Sequence, residues 1–308
     1  MNVAFFSEGG YVGKVPRNNT NMRTDLAWIC SLEATHHPIN TVHTVPDNSY
    51  DVGVVIVPKN KQHLLEYPLL EHLRRVCNKI CVMQEGTYWM FQEHNVQSQI
   101  WYYNLLQSVD VIFCHNDVDL LYYKGITDTQ CELMPTLMVT DHIRTWEGEK
   151  SGVMIGGNWG PVYRGFDSYV VSKVFEESIS AITSGRIKED ESLLDINHLP
   201  WVDWLTWMYE LSKFKYGVHL GVPGAGTFNL NCAYLGIPCI GYKSVNTQKY
   251  LHPDLAIEEG DIEKARQLAH KLSSDKEFYK HCSINSKKLF NELYSEDRFL
   301  DKLNKILI

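Results

Sequence analysis

The stretch Tyr216–Tyr242 limits the fold more than any other part of the chain. Tyr216–Leu220 is a short apolar run that reads as a buried strand. Gly221, Pro223, Gly224 and Gly226 follow as a turn-forming loop. Phe228–Leu235 then reads as a short helix, with Thr227 at its start and Gly236 at its end, and Pro238 leads into a second apolar strand, Cys239–Tyr242. Two apolar strands joined through one helix predict a parallel βαβ unit, since an antiparallel pair needs only a tight turn. The loop also has a chemical consequence. A strand, a glycine-rich turn and a helix start aim several amides at one point, with the positive end of the helix dipole behind them. That point suits an anion, most often a phosphate. The same glycines serve equally well in an ordinary βα turn.

The rest of the chain repeats this alternation. Strands are expected at Val3–Phe6, Val52–Val57, Lys79–Met83, Val109–Cys114 and Cys131–Met134, with helices over Thr24–Leu32, 62–77, Val96–Gln107 and Asp117–Tyr123 between them. Polar residues gather just after the strands (Glu8, Gln84, Glu85, His115, Asn116), the edge where open α/β sheets bind ligands. Thr136–Lys150 is polar, carries both charge signs and reads as a hinge. The alternation restarts with a strand at Gly152–Ile155, followed by Gly156, Gly157 and Asn158. A helix is expected over Ser168–Thr183, where Val170, Val171, Val174, Phe175 and Ile179 share one side, and another over Pro200–Ser212, where Trp201, Trp204, Trp207, Met208 and Leu211 recur at helical spacing and read as a core stripe. Three more helices are expected at Asp261–Lys271, Asp275–Phe290 and Asp297–Ile308. The pattern predicts an α/β protein with two Rossmann-like domains facing a central cleft. The expected domains are 1–145 and 146–290, with a last helix in 291–308 that crosses back to the first. A length of 308 residues with 44% hydrophobic content supports two cores.

Charge and cysteine usage narrow the function. With 37 acidic and 29 basic residues, the net charge of -8 argues against a generally basic nucleic-acid surface. No run reaches the ~18 apolar residues of a membrane-spanning helix, and the start MNVAFFSEGG has no charged leader before an apolar core. The eight cysteines are scattered without a C-x-x-C pair and read as reduced, buried thiols. These features predict a cytoplasmic protein, and no cluster of residues is spaced to hold a metal.

The second half resembles the nucleotide-sugar domain of GT-B glycosyltransferases. The likeness lies in the strand Gly152–Ile155 with Gly156, Gly157, Asn158 and Arg164, in the strand, loop and helix from Tyr216, and in the ending Leu235-Gly236-Ile237-Pro238-Cys239-Ile240. About thirty residues carry it as motif. The resemblance implies a nucleotide-sugar co-substrate such as a UDP-sugar, held mostly by the C-terminal half. Gly156, Gly157, Asn158, Arg164, Gly224, Ala225, Gly226, Thr227 and Asn231 would be its donor-binding residues. Arg164 and the helix start would neutralise the diphosphate, so that no metal and no further cofactor is required. The chain departs from the family where many retaining members carry Glu-x7-Glu across this loop: the matching positions are Pro223 and Asn231. The pattern therefore points to an inverting enzyme. Glu85 shortly after the strand Lys79–Met83, and Gly156-Gly157 with Arg164, carry a narrower likeness: they resemble phage DNA β-glucosyltransferase, in which a strand is followed at once by an acidic base.

Sugar transfer to a hydroxyl needs a base to remove its proton. Glu85 is the first candidate: it follows a buried strand, precedes Gly86 and stands among Tyr88, Trp89 and Phe91. Asp25, at the start of the first helix, is the second, and His115 the third. Gly9, Gly10 and Tyr88 are expected on the acceptor side. The acceptor stays open among a glycan, a small molecule and hydroxymethylated viral DNA. Two other readings fit the same pattern: a non-catalytic two-lobed sugar or nucleotide binding protein, and a UDP-sugar epimerase of the same fold.

Overall fold

The computed structural model describes the chain apart from residues 9–10, 23, 59–63, 65–66, 158–164, 183–190, 222–223 and 308. Contacts divide it into two compact units. One comprises Met1–Asn19, Thr24–Pro135 and Phe299–Ile308, the other Thr20–Arg23 and Thr136–Arg298.

The first unit holds the strands β1 (Val3–Ser7), β2 (Gly13–Lys14), β3 (Thr35–Pro38), β4 (Tyr50–Val57), β5 (Cys77–Gln84), β6 (Val111–Cys114) and β7 (Gln130–Leu133). They form one sheet in the order β2-β3-β1-β4-β5-β6-β7, parallel throughout except for β2 against β3. The central strands are continuous apolar runs, as burial on both faces requires: Val54, Val55, Val57, Cys81, Val82 and Val111 are all inaccessible or nearly so. Helices Asn95-capped Val96–Leu106 and Asn116-capped Asp117–Ile126 begin where an asparagine side chain accepts the amide three residues on, from Ser98 and Asp119 respectively, both at 2.9 Å. The last helix, Glu296–Leu307, buries Phe299, Leu303 and Leu307, and Lys79 Nζ donates to the Ile306 carbonyl at 2.8 Å.

The second unit holds β8 (Val153–Ile155), β9 (Ile179–Ile182), β10 (Asn197–Leu199), β11 (Tyr216–His219), β12 (Cys239–Tyr242) and β13 (Ala256–Ile257). Their order is β10-β9-β8-β11-β12-β13 and every pairing is parallel. The chain lays strands outward from β8 on one side, then returns to β11 and works outward on the other. The strand order thus reverses between β8 and β11, the place where doubly wound sheets bind ligands.

The structure corrects several expected elements: the helix read over Pro200–Ser212 starts at Trp204, which leaves Trp201 outside it and 45% exposed, and the helix read up to residue 77 ends at Val76, with Cys77 already in β5. The helix read over Ser168–Thr183 ends early: Phe166–Ser172 is helical, Lys173–Phe175 is one 3₁₀ turn, and Ile179–Ile182 is strand β9. Glu176 breaks the helix by taking a left-handed conformation at φ 55°. The apolar spacing from Val170 to Ile179 fits a helix, but Ile179 and Ile182 are β-branched and pair between β8 and β10. All eight cysteines are free and buried. Among the described residues no helix is long and apolar enough to cross a membrane.

Candidate functional site

Both glycine loops singled out in the sequence lie at the reversal of strand order in the second unit. Gly156 follows β8 directly, and its amide extends the ladder to Val218 at 2.8 Å. A Cβ on Gly156 would stand 2.5 Å from Phe228 Cδ1, so the ring of the helix Thr227–Leu235 lies against the Gly156 backbone. Gly157 follows with φ 84°. Gly224, Ala225 and Gly226 carry the chain from β11 into that helix. The structure therefore brings Gly156, Gly157, Gly224, Ala225, Gly226 and Thr227 to one end of the sheet. Asn158 and Arg164 lie outside the described residues, as do Gly9, Gly10 and Pro223.

The helix Thr227–Leu235 starts without a side-chain cap. Its N-cap residue is Gly226, held at φ 69° and ψ 30°, and the Gly226 carbonyl accepts the first helical bond from Leu230 at 3.1 Å. A glycine cap supplies no oxygen to the first-turn amides, so the positive end of the helix keeps its field. The loop is held from the side: Thr247 Oγ1 donates to the Gly226 carbonyl at 2.8 Å and Thr136 Oγ1 donates to the Ala225 carbonyl. A Cβ on Gly224, by contrast, would meet nothing within 4 Å.

Below the loop a buried polar network fixes the helix. Asn229 is fully buried, its Oδ1 is 3.1 Å from His219 Nδ1, and its Nδ2 donates to Gln248 Oε1 at 2.7 Å. Gln248, also fully buried, donates through Nε2 to the carbonyls of Cys239 at 2.8 Å and Leu255 at 3.1 Å. His252 Nε2 donates to the Asn229 carbonyl at 3.0 Å, and burial pushes its pKa down to about 4. Asn231 is buried too. With its amide oriented to suit its neighbours, Nδ2 donates to the Thr227 carbonyl at 3.1 Å and Oδ1 accepts from the Trp207 indole at 3.0 Å. Its polar atoms are therefore engaged inside the fold, directly beneath the first residue of the helix.

In the first unit, Glu85 stands on a turn at the end of β5. Its amide donates to the Val57 carbonyl at 2.9 Å, which extends the β4 ladder by one rung, and its side chain is half-buried. The turn is pinned from inside. Gln84 is buried, donates through Nε2 to the Thr87 carbonyl and accepts from Tyr123 Oη at 2.9 Å. The Tyr88 amide donates to Asp119 Oδ1 at 3.1 Å, and Asn116 Nδ2 donates to Asp119 Oδ2 at 3.2 Å. Burial pushes the Asp119 pKa up to about 6, against the pull of these two donors. His115 Nε2 donates to the Gln84 carbonyl at 2.9 Å, and burial lowers its pKa while that carbonyl and the Glu85 charge raise it. The aromatic cluster around Glu85 is largely packing: Phe91 stacks on Tyr102 at 3.9 Å and Tyr88 on Tyr122 at 4.2 Å. Asp25 is half-exposed in the first turn of the helix Thr24–Ser31. Among the described residues no group of three or more His, Cys, Asp or Glu is placed to hold a metal ion.

Sequence reasoning did not reach Asp119, Asn229, Thr247 and Gln248, which support the loops. One signal was there to be read: Asn229 and Asn231 are poor helix formers placed inside a nine-residue helix, where an asparagine needs a partner.

No protein-family model matches the chain, and no curated protein is found as its relative by sequence. Solved structures match it strongly in shape. Sucrose-phosphate synthase from Thermosynechococcus elongatus superposes with a TM-score of 0.72 at 9% identity, over 99% of this chain and 98% of that one. Anabaena HepE in complex with UDP and glucose gives 0.71 at 9% identity, over 100% and 99%. Staphylococcus aureus TarM, in complex with fondaparinux, α-GlcNAc-glycerol and UDP, gives 0.62 at 10% identity over 83% of this chain. The match spans about half of TarM, 55% of its length. These neighbours are GT-B glycosyltransferases. With two α/β units, one built on a mostly parallel and one on a wholly parallel sheet, and these likenesses along its length, the chain has the GT-B fold.

Proposed function

We propose that this protein is a metal-independent, inverting glycosyltransferase that uses a UDP-sugar. One observation carries the reading: two glycine loops meet at the strand-order reversal of the second unit, and a helix without a side-chain cap starts from one of them. The structural neighbours include HepE, whose complexes hold UDP with glucose and UDP-glucose. In this reading Gly156 and Gly157 let the backbone approach the donor. The amides at Gly224, Ala225, Gly226 and Thr227 receive the diphosphate, with Asn158 and Arg164 completing that side. Asn231 supports the loop from beneath through the Thr227 carbonyl. The helix dipole stabilises the charge that develops on the leaving group.

Glu85 acts as the base, with Asp25 as the rival. The acceptor oxygen attacks the anomeric carbon as its proton passes to the carboxylate. The bond from that carbon to the diphosphate oxygen breaks, and UDP leaves with the electron pair. Gly9, Gly10 and Tyr88 are assigned to the acceptor side, for a glycan, a small molecule or hydroxymethylated DNA. The test is a donor titration followed by transfer assays with Glu85→Gln and Asp25→Asn. Glu85→Gln is expected to bind UDP-glucose normally and to lose roughly 10²–10⁴-fold in transfer rate. NMR of the product anomer should show inversion. No binding of any nucleotide or nucleotide-sugar by the native protein would sink the reading.

A further inference from the structure

A cleft of about 330 Å³ opens in the second unit at the opposite end of the helix Thr227–Leu235 from the glycine loop, against Leu235. Its volume is in the range of small-molecule sites. Trp146, Tyr234 and Phe290 give it an apolar wall, Lys150 and Lys287 its charged groups, and Thr145, Ser212 and Asn291 its neutral polar ones. We propose that this cleft binds a small anion bearing an apolar ring, of the aryl phosphate or aryl carboxylate class, separately from the donor site.

The charges around the cleft favour an anion. Lys150 Nζ donates to the Leu235 carbonyl at 3.0 Å, at the negative end of the helix. The Lys287 stem passes over Gly236, where an added Cβ would stand 2.5 Å from Lys287 Cε. The two ammonium groups are close enough that Lys287 helps to lower the Lys150 pKa, after burial as the larger cause. No carboxylate is among the described residues that line the cleft. Glu292, on the helix that carries Lys287, faces Lys288 at 3.8 Å. Two helices, Thr227–Leu235 and Lys276–Leu293, end near the cleft, and each helix end supplies only about half a negative charge. About one positive charge is left over among the groups that line the cleft.

The shape of the wall favours the same ligand. Tyr234 packs edge-on to Phe290 at 5.4 Å, and Trp146 is anchored by its amide to Ser212 Oγ at 2.7 Å while 40% of its surface stays exposed. A rigid ring surface beside surplus positive charge favours a ligand with a flat apolar body and an anionic head. Simple anions lack the body, and neutral aryl compounds lack the head.

The experiment is ligand-observed NMR on the intact protein with phenyl phosphate, benzoate, benzyl alcohol and inorganic phosphate as probes, each with and without saturating UDP. Phenyl phosphate or benzoate is expected to bind at least tenfold more tightly than benzyl alcohol and inorganic phosphate, and UDP should leave that binding unchanged. Lys287→Gln, at an exposed position, should weaken the aryl anion at least tenfold while UDP binding and the melting temperature hold. Trp146→Leu should weaken it independently. Displacement of the probe by UDP, equal binding of benzyl alcohol, unchanged affinity in Lys287→Gln, or no binding by either aryl anion would each overturn the proposal.

Discussion

Gly226→Ala gives the sharpest test of how the loop sets the helix start. Gly226 has φ 69°, and a Cβ there would stand 2.0 Å from Thr247 Oγ1 and 2.8 Å from Val245 Cγ1. The left-handed backbone costs an alanine about 1–2 kcal/mol. Relieving the overlap adds about 1–3 kcal/mol, because Thr247 is buried and must move. Thr247 cannot move freely without losing its bond to the Gly226 carbonyl, so the two costs add to roughly 2–5 kcal/mol. At about 2–4 °C per kcal/mol for a unit of this size, calorimetry should show the second unit melting roughly 4–20 °C lower. Gly224→Ala is the internal control, since a Cβ there meets nothing within 4 Å and the residue lies outside the left-handed set. It should stay within about 0.5 kcal/mol of the native protein. If both variants melt alike, or Gly226→Ala melts with the native protein, the claim that Gly226 and Thr247 fix the helix start is refuted. Titration with UDP-glucose then separates fold from function: Gly226→Ala should bind more weakly even well below its melting temperature, because the amides it repositions are those assigned to the diphosphate.

Three further outcomes are expected. Asn229→Ala leaves His219 Nδ1 and Gln248 Oε1 without their partner and should cost about 2–5 kcal/mol, read by denaturant unfolding. Asp119 has its folded pKa raised from 3.8 to about 6, so its stabilising contribution is complete below pH 3.8 and is lost as the pH rises through 6, about 3 kcal/mol in all. Asp119→Asn should remove that slope from hydrogen exchange in the first unit. His252 has its pKa depressed from 6.5 to about 4, so its contribution is present above pH 6.5 and is lost as the pH falls through 4, again about 3 kcal/mol. Exchange measured between pH 6.5 and 4 should therefore show acid loosening the second unit, with His252→Gln abolishing most of the effect.

What could be read from the sequence follows the range of the interactions involved. The helix Thr227–Leu235 and strand β12 were legible because their limits are set by neighbours in the chain: Gly226 and Gly236 both take the left-handed conformation, and Pro238 cannot continue a helix. The helices after Asp261 and Asp275 were legible for the same reason, each aspartate accepting the amide three residues on. Strand β9 was not legible, because the choice between helix and strand for Ile179–Ile182 is made by its partners. β8 on one side and β10 on the other supply the pairing that outweighs an apolar period compatible with a helix. Strands β3 and β10, Thr-His-His-Pro and Asn-His-Leu, carry almost no apolar signal of their own and exist through their pairing.

The site divides along the same line. Its loops are chemistry of the local chain, so Gly156, Gly157 and Gly224–Thr227 could be singled out before their meeting was known. Their support is not local. Thr136 and Thr247 lie 89 and 21 residues from the carbonyls they hold, and Gln248 lies 19 residues from Asn229. The turn after β5 in the first unit behaves alike: Glu85 announces itself by following a strand, whereas Asp119, which holds the next turn through Tyr88, is 31 residues away. Residues that would touch a ligand sit on short glycine-marked loops, and residues that aim those loops are buried polar side chains brought in by the sheet order. A carboxamide or carboxylate buried in such a core is costly without partners. Asn229, Gln248 and Asp119 therefore tie each loop to one arrangement, and the effects of replacing them should appear at the loops before they appear in the sheets.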